Sequence, residues 1–467
     1  MKILLVSPES RLWNERAHIH NGLGYLAGAL LHAGYAVDIF DGAVETESLD
    51  QRLTRELFDI VGVSAPTPLI HEAWEDARIA KAHGAVTILG GPHLTLMPEE
   101  STGHPEVDFV ARGEAEETIV EFVRTVETYG VQAKARFRSI QGLSFRDDAG
   151  NIMHNPPRPL AQDLDAIPFP AYHLFKIERY TNLQPLTDGL DPHARSYTIL
   201  TSRGCPYQCT YCSKPITGNT WRARSVENVV KEWRMLVDEL HAKEIGVTDD
   251  IWNLDLKRAK ELCCALIAEG LNKVPWVTIH GMKVNHADAE LFQLMKQAGC
   301  RRVGFGVESG DEFILKRVVK KSQTYDQVRA AFKNARAAGL QTMGFFIFGM
   351  PYETEETMEK TIQLALELDP DLANFMIASP YPGTQMWDLL QREGRIYAQD
   401  WSELAIHSDH AHFEIGDLKP ELVEKKWHEA YRRFYFRPRR LAQRALQADT
   451  WRNFIPRLRD AVRFFSA

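Results

Sequence analysis

Short apolar runs and amphipathic stretches alternate in two blocks along this 467-residue chain, and that alternation limits its fold more than any other feature. In the first block, Lys2–Val6, Ala36–Phe40, Ile60–Ser64, Val86–Leu89 and Val107–Val110 read as strands bounded by turn signals. Between them Leu23–Leu31 and Ile70–His83 carry apolar residues at helical spacing, with Gly34 and Gly84 in the helix-stop position. Strict strand–helix alternation predicts a parallel, doubly wound α/β sheet over residues 1–130, with ligands bound at the carboxyl ends of its strands. Those ends carry the loops 7–22 and 64–70 and the run Gly90-Gly91-Pro92-His93. The second block covers residues 196–395. Its strands are Tyr197–Thr201, Glu244–Asp249, Trp276–Ile279, Arg302–Val307, Thr342–Phe348 and Asn374–Ser379, with helices closed at Gly270, Gly299 and Gly339. Six units are too few for a closed eight-unit barrel, but their strand ends still converge on one mouth, where polar residues are site candidates.

Residues 131–195 read as a bridge, with a hairpin (Gly142–Phe145 and Asn151–Met153) followed by the proline-rich runs 155–159 and 167–170. Prolines at that density hold chain extended and stiff, which suits a spacer between two domains. Residues 396–467 read as a helical extension mixing Trp427, Tyr431, Phe434, Tyr435 and Phe436 with Arg437, Arg439 and Arg440. It is expected to dock on the barrel mouth and shape the substrate pocket; the other reading of a basic, aromatic face is a membrane surface. Residues 425–467 hold a local charge of +9 in a chain of net charge −8, so the remainder is near −17 and argues against a general nucleic-acid binder. No segment approaches the roughly 20 apolar residues of a membrane span, and the opening run Met1–Val6 is too short for a secretory signal.

The stretch Cys205-Pro206-Tyr207-Gln208-Cys209-Thr210-Tyr211-Cys212 follows the first strand of the second block. Three thiolates spaced Cys-x3-Cys-x2-Cys can hold three irons of a cubane [4Fe–4S] cluster. The other cysteines, Cys263, Cys264 and Cys300, supply no fourth ligand nearby in sequence, so one iron keeps an open site for a substrate. A structural zinc asks for four closed ligands, commonly from two paired knuckles, and a second knuckle is missing. The three remaining cysteines lie on or beside apolar helix faces and read as buried structural thiols. Sparse, clustered cysteine points to a reducing compartment, hence the cytoplasm.

The cysteine motif, with Tyr211 before its last cysteine, resembles the signature of the radical S-adenosylmethionine superfamily. That resemblance implies a partial (β/α)6 barrel whose open iron chelates the amino and carboxylate groups of S-adenosylmethionine. It also implies sulfonium cleavage by the reduced cluster to a 5′-deoxyadenosyl radical, and an electron donor such as flavodoxin or ferredoxin. The hard chemistry is then the cofactors' own, positioned and shielded by protein. By the same resemblance Asp249 and Asp250, ending strand two, stand where the family binds the amino group. Glu308, ending strand four, stands where it places ribose or carboxylate contacts. Gly349-Met350-Pro351-Tyr352-Glu353-Thr354 is similar to the family's Gly-x-Pro-Gly-Glu-Thr, with Tyr352 in place of Gly and Glu353 as a site candidate. Pro380-Tyr381-Pro382-Gly383-Thr384 resembles Pro-x-Pro-Gly-Thr, while His280-Gly281 replaces the family's arginine after strand three. For each carboxylate the plainer alternative is helix N-capping.

The first block resembles cobalamin-binding domains, which are flavodoxin- or Rossmann-like. Gly22, Ser64 and Gly90-Gly91 fall in the order of that pattern, with 41 residues between Gly22 and Ser64, and Gly113-Glu114-Ala115-Glu116 is similar to the Gly-Glu-x-Glu of cobalamin-binding radical enzymes. Ser64, Gly90, Gly91 and Glu114 are therefore expected at cobalamin. Gly-Gly alone would be read as a strand-to-loop turn. Pro66 departs from the motif's leucine, and Ala17 and Ile19 fill its Asp and His positions. His18 and His20 flank the axial position and read as loop histidines, so cobalt is expected to lack a protein histidine below it.

Taken together the chain resembles the cobalamin-binding radical S-adenosylmethionine enzymes over about 400 residues. Most members methylate an unactivated carbon through methylcobalamin; a minority perform oxidative cyclisation or ring rearrangement. The methylthiotransferases share the barrel but carry a second cysteine triplet upstream, and no cysteine precedes Cys205 here. A cobalamin or redox sensor would need an output module, which is not read in this sequence. The expected substrate is a small molecule or natural-product precursor, with tetrapyrrole, lipid, peptide and antibiotic precursors all open.

Overall fold

The computed structural model describes residues 1–10, 18–181, 183, 194–405, 408–438 and 440. Expectations for Ala17, Arg439 and the tail beyond residue 440 lie outside them. The first sheet contains β1 (Lys2–Ser7), β2 (Ala36–Asp41), β3 (Ile60–Ser64), β4 (Val86–Gly90), β5 (Phe109–Ala111), β6 (Leu143–Arg146) and β7 (Ile152–His154), in the order β2-β1-β3-β4-β5-β6-β7. β1 to β5 are parallel, with Ile3 opposite Ile60 and Ile60 opposite Val86. Alternate residues feed two cores, as a two-residue period requires. Leu4, Val6, Val61 and Val63 pack on helix Ile70–Ala82, while Ile3, Leu5 and Ile88 meet helices Asn21–His32 and Glu116–Tyr129 in the core shared with the barrel.

The hairpin assigned to the bridge pairs antiparallel onto β5, Phe109 opposite Phe145, and so extends the sheet to seven strands. Its inward residues Leu143 and Phe145 complete the core around Phe109, Phe122 and Phe137. Beyond the hairpin the described bridge is not simply extended: it turns at Leu164–Ile167 and forms short 3₁₀ helices at Tyr172–Leu174 and Ile177–Arg179, and its residues 168–171 lie on helix Asn21–His32 where Gly24 and Gly28 share a face. A Cβ at Gly28 would stand 2.3 Å from the Phe169 carbonyl oxygen, and Ala171 donates its N–H to the Gly24 oxygen at 2.9 Å. Close backbone approach there demands glycine.

The second sheet holds β8 (Ser196–Ile199), β11 (Glu244–Val247), β12 (Trp276–Thr278), β13 (Cys300–Glu308), β14 (Gln341–Phe348) and β15 (Leu372–Ile377). All are parallel, in the order β15-β14-β13-β12-β11-β8. This is the expected six-stranded partial barrel. An antiparallel ribbon, β9 (Ser202–Arg203) with β10 (Arg222–Ala223), carries the cysteine loop between its strands.

The C-terminal extension departs from a purely helical reading. Before its helix it forms a short hairpin, Arg395–Ile396 against Phe413–Glu414, and a turn, Trp401–Leu404, that reaches back to the first domain. Helix Pro420–Tyr435 then docks along the edge of β15, and its Val423 reaches Gly349 at the mouth end of β14. The Tyr435 hydroxyl accepts from the Ala373 N–H at 3.0 Å and donates to its oxygen at 2.7 Å, and Trp427 Nε1 donates to the Phe375 oxygen at 2.8 Å. Cys264 also corrects expectation. It is exposed, because neighbouring helix positions lie about 100° apart and Cys263 takes the core-facing one. Cys263 and Cys300 are buried. No helix among the described residues is long and apolar enough to cross a membrane.

Candidate active site

The cysteine loop hangs from the β9–β10 ribbon and is fixed at each end. Gly204 has φ +83°, and a Cβ there would lie 2.2 Å from the Thr220 oxygen, so the entry to the loop admits only glycine. Its N–H donates to Asp250 Oδ2 at 2.9 Å, and Cys205 N–H donates to the Gly218 oxygen at 3.3 Å. Lys214 Nζ holds the carbonyls of Cys205, at 2.9 Å, and Tyr207. Thr210 is gripped from two further barrel loops. Its N–H and hydroxyl donate to the oxygens of Val319 and Val318 at 3.2 and 2.7 Å, and its own oxygen accepts from Met386 N–H at 2.9 Å. Cys205 and Cys209 are half-buried and Cys212 is exposed. Thiolate is the donor type of a cubane cluster, and Cys205, Cys209 and Cys212 bring three of them to one short loop.

The two aspartates that end strand two shape this loop. Asp249 is buried and accepts from Thr201 N–H at 2.7 Å, Thr201 Oγ1 at 2.6 Å and Ser202 Oγ at 2.6 Å, while burial pushes its pKa up. Its carboxylate is committed to the turn before the ribbon. Asp250 is exposed, and its Oδ2 accepts from both Gly204 N–H and Thr217 Oγ1, the latter at 2.7 Å.

Facing the loop inside the barrel is a buried ion pair, Glu308 with Lys321. Glu308 adopts φ +67°, a left-handed conformation that costs about 1–3 kcal/mol and is characteristic of functional sites. Gly306 makes room: a Cβ there would meet Lys321 Nζ at 2.4 Å and Glu308 Oε1 at 2.5 Å. Burial, then the Glu308 charge, pushes the Tyr211 phenol well above its ordinary value. Sequence reasoning missed Lys283. It lies over the Tyr207 ring, Nζ 3.9 Å from the centroid, and has no hydrogen-bond partner among the described residues although it is 8% exposed. Burial first, then the Lys321 charge, pulls its pKa down to about 8. Asn253 fixes the Lys283 backbone through both amide groups, at 3.0 and 2.9 Å, and also binds the His286 oxygen, while Tyr207 Oη meets His286 Nε2 at 2.5 Å. Only three positions separate Lys283 from His280, but a lone lysine in a mixed loop carries no sequence signal.

After β14, Glu353 Oε2 accepts from the N–H groups of Gly349 and Met350 at 2.8 and 3.0 Å. Its Oε1 is buried without a partner among the described residues, and burial pushes the carboxyl up to about 8. Gly383, after β15, packs on Leu96 of the first domain.

In the first domain a cleft of about 240 Å³ opens at the carboxyl ends of the strands. Ser64, Gly90 and Gly91 line one wall; Leu200, Arg203 and Thr217 of the barrel line the other. Gly91 has φ +105°, and a Cβ would stand 2.8 Å from the Ala65 oxygen, so this glycine is required by its own backbone neighbours. Small residues and a dry, inter-domain wall suit a large planar ligand, and cobalamin fits that description. His20 caps helix Asn21–His32, its Nδ1 accepting from Leu23 N–H at 3.2 Å. Glu114 lines the cleft, but its oxygens accept from Arg222 Nη1 and Nη2 at 2.9 and 2.8 Å and from Ala161 N–H at 3.0 Å. Arg203 reaches both Glu114 (3.3 Å) and Glu116 (2.7 Å) and sits over the Tyr25 ring at 4.7 Å. Asn21 adds a second tie, accepting from Thr198 Oγ1 at 2.7 Å and donating to Thr248 Oγ1 at 2.9 Å. Sequence reasoning missed Arg203, Arg222 and Asn21.

The comparisons with known proteins agree with this layout. The family model described as the radical SAM superfamily matches residues 199–365, and the B12 binding domain model matches residues 16–123. The chain is 35% identical over 451 residues to an uncharacterized methyltransferase of Pyrococcus horikoshii, covering 94% of this chain and 93% of that protein. It is 30% identical to the cytidylyl-2-hydroxyethylphosphonate methyltransferase of Streptomyces wedmorensis, covering 84% and 82%. It is also 30% identical to an anaerobic magnesium-protoporphyrin IX monomethyl ester cyclase of Cereibacter sphaeroides, covering 89% and 66%. In fold it matches the radical S-adenosylmethionine methyltransferase TsrM of Kitasatospora setae, solved with tryptophan substrate and an S-adenosylmethionine analogue. That match has a TM-score of 0.69 at 19% identity and covers 85% of this chain and 79% of that one.

Proposed function

The chain belongs to the cobalamin-binding radical S-adenosylmethionine enzymes, and on that premise we propose that it methylates an unactivated carbon of a small natural-product precursor. Bound together, the [4Fe–4S] cluster, S-adenosylmethionine and cobalamin supply a methyl donor and a carbon-centred radical; the residues described above bind, orient and shield them. Cys205, Cys209 and Cys212 would hold the cluster. Ser64, Gly90 and Gly91 would bound the cobalamin cleft, with Glu114 acting through Arg222 and Arg203 to hold that cleft against the barrel. Lys283, whose ammonium lies over the Tyr207 ring with no hydrogen-bond partner among the described residues, would meet the carboxylate of S-adenosylmethionine, and Glu308 would contact its ribose. Asp250 would keep the loop in register, Asp249 would brace the turn before it, and Glu353 would hold the loop after β14 against the adenine end. The electron would come from a flavodoxin or ferredoxin in a reducing cytoplasm.

One observation carries the proposal. Thr217 lines the cobalamin cleft and donates to Asp250, which accepts from Gly204 N–H beside Cys205. The cleft and the cysteine loop therefore share a wall, as two cofactors acting on one substrate require. Oxidative ring closure is the second reading, favoured by the 30% identical cyclase relative. The test is anaerobic reconstitution with methyl-labelled S-adenosylmethionine and mass analysis of products from candidate substrates. Label in the product supports methyl transfer; 5′-deoxyadenosine with an unlabelled, ring-closed product supports the second reading.

A further inference from the structure

A cluster of this kind works only after an electron reaches it from outside, and one exposed, cation-bearing turn lies beside the cysteine loop. The loop is bound through Thr210 to the oxygens of Val318 and Val319, in the turn that follows β13. Residues 312–321 of that turn contain Lys316, Arg317, Lys320 and Lys321 against one exposed acid, Glu312, in a chain whose net charge is −8. Lys321 faces inward to Glu308 and Lys316 reaches the Gln323 oxygen, but Arg317 and Lys320 are exposed. Arg317 has no ion pair among the described residues, and Lys320 Nζ lies 2.6 Å from Gln385 Oε1 at the head of helix Gln385–Glu393. One turn before Arg317, Phe313 is 57% exposed. Cys212, the outermost cysteine, is exposed in the loop that this turn supports.

We propose that this turn, with Phe313, Arg317 and Lys320 around the exposed side of the cysteine loop, is the docking surface for an acidic one-electron donor protein. Two exposed cations on a negatively charged molecule orient an acidic partner, and the exposed Phe313 one turn before Arg317 adds an apolar contact for a short-lived complex. One electron leaves the donor's reduced prosthetic group and enters the cluster; the donor is oxidised by one, the cluster reduced by one, and no proton has to cross the interface. The surface presupposes the enzyme reading above, because only a cluster behind Cys212 needs that electron.

The test uses the full-length, cluster-loaded enzyme with an acidic FMN flavodoxin as probe. In the double variant Arg317→Glu/Lys320→Glu, stopped-flow reduction of the cluster by reduced flavodoxin should slow about tenfold or more at low salt. The difference should shrink as ionic strength rises. Calorimetric binding of oxidised flavodoxin should weaken by a similar factor. Reduction by dithionite, which needs no docking, should match wild type and shows that the variant keeps its fold and cluster. If the double variant loses its cluster, Arg317→Gln/Lys320→Gln replaces it and should show a smaller slowing. Equal flavodoxin rates in variant and wild type would overturn the docking surface while leaving the enzyme reading intact. So would equal slowing in Lys257→Glu, whose 87% exposed side chain lies on helix Leu256–Ala268. Dithionite-reduced wild type that cannot cleave S-adenosylmethionine would instead overturn the reading beneath it.

Discussion

Arg222 grips Glu114 with both terminal nitrogens, at 2.9 and 2.8 Å, and both side chains are buried between the two domains. Glu114 follows β5 in the first domain, and Arg222 opens β10 at the far end of the cysteine loop. The carboxylate expected at cobalamin therefore ties the cleft of the first domain to the cysteine loop. Removing one partner strands the other's charge in a dry interface. Glu114→Gln should lower unfolding free energy by about 3–5 kcal/mol, and Glu114→Gln/Arg222→Met should recover part of that loss. Denaturant titration decides it; a single variant as stable as wild type would mean that the pair carries no tie between domains.

Lys283 should matter for S-adenosylmethionine binding more than for folding, since its ammonium has no hydrogen bond to lose among the described residues and gives up only its place over the Tyr207 ring. Lys283→Met should raise the dissociation constant by about tenfold or more without lowering the melting temperature. Sign follows from its depressed pKa of about 8 in the unliganded protein. The side chain is cationic below that value and neutral above it, so wild-type affinity should fall as pH rises through about 8. The Met variant should lack that fall. An identical pH profile in both proteins would remove Lys283 from the binding site.

Glu353 gives a stability prediction of definite sign. Its folded pKa of about 8 stands above the ordinary 4.5, so between those values the folded state binds the extra proton. Its burial is then harmless below about pH 4.5 and costs stability as pH rises toward 8. Glu353→Gln, which mimics the protonated form, should match wild type near pH 5. It should exceed wild-type stability near pH 8, by up to a few kcal/mol. Melting curves at the two pH values test this; a Gln variant less stable at pH 8 than wild type would contradict it.

Gly91→Ala should damage the fold before it damages ligand binding. The residue's φ of +105° and the 2.8 Å approach of a Cβ to the Ala65 oxygen predict a loss of roughly 1–3 kcal/mol. Thermal unfolding of the variant should be lower with or without hydroxocobalamin. Unchanged stability with lost corrin absorbance would instead assign Gly91 directly to the ligand.

His20 caps a helix through Nδ1, so His20→Ala should cost about 0.5–2 kcal/mol. Electron paramagnetic resonance of the cob(II)alamin form should nevertheless be the same in wild type and in His18→Ala and His20→Ala variants, without nitrogen triplets. Ile19, in the axial register, is 2% exposed and cannot ligate. Triplets that vanish in either variant would show a histidine below cobalt.

Much of this architecture was legible because its signals are local. Strand–helix alternation and glycine stops carried both sheets, and the cysteine spacing carried the loop. What escaped depends on contacts between distant segments. The hairpin at residues 142–154 reads as an independent unit until Phe145 is seen opposite Phe109. Gly24 and Gly28 read as helix-weakening residues until the Phe169 carbonyl lies against them. Asp249 looks like a ligand from its place after a strand, yet three donors from residues 201 and 202 absorb its carboxylate. Lys283 is visible only as a buried ammonium without a hydrogen-bond partner among the described residues, a property no spacing encodes.

The phenols of helix Pro420–Tyr435 stand in for a missing strand. Tyr435 satisfies both peptide groups of Ala373, and Tyr431 accepts from Phe375 N–H at 3.3 Å, so the outer rim of β15 has few main-chain groups left to offer. An open parallel sheet otherwise ends in a template for pairing with another molecule. A chain cut short before residue 420 would acquire a sticky rim along β15. Its first symptom would be self-association in concentrated solution, with lost turnover following only as the soluble pool declines. Tyrosines at positions 431 and 435, one helical turn apart, thus guard solubility from a place remote from the chemistry.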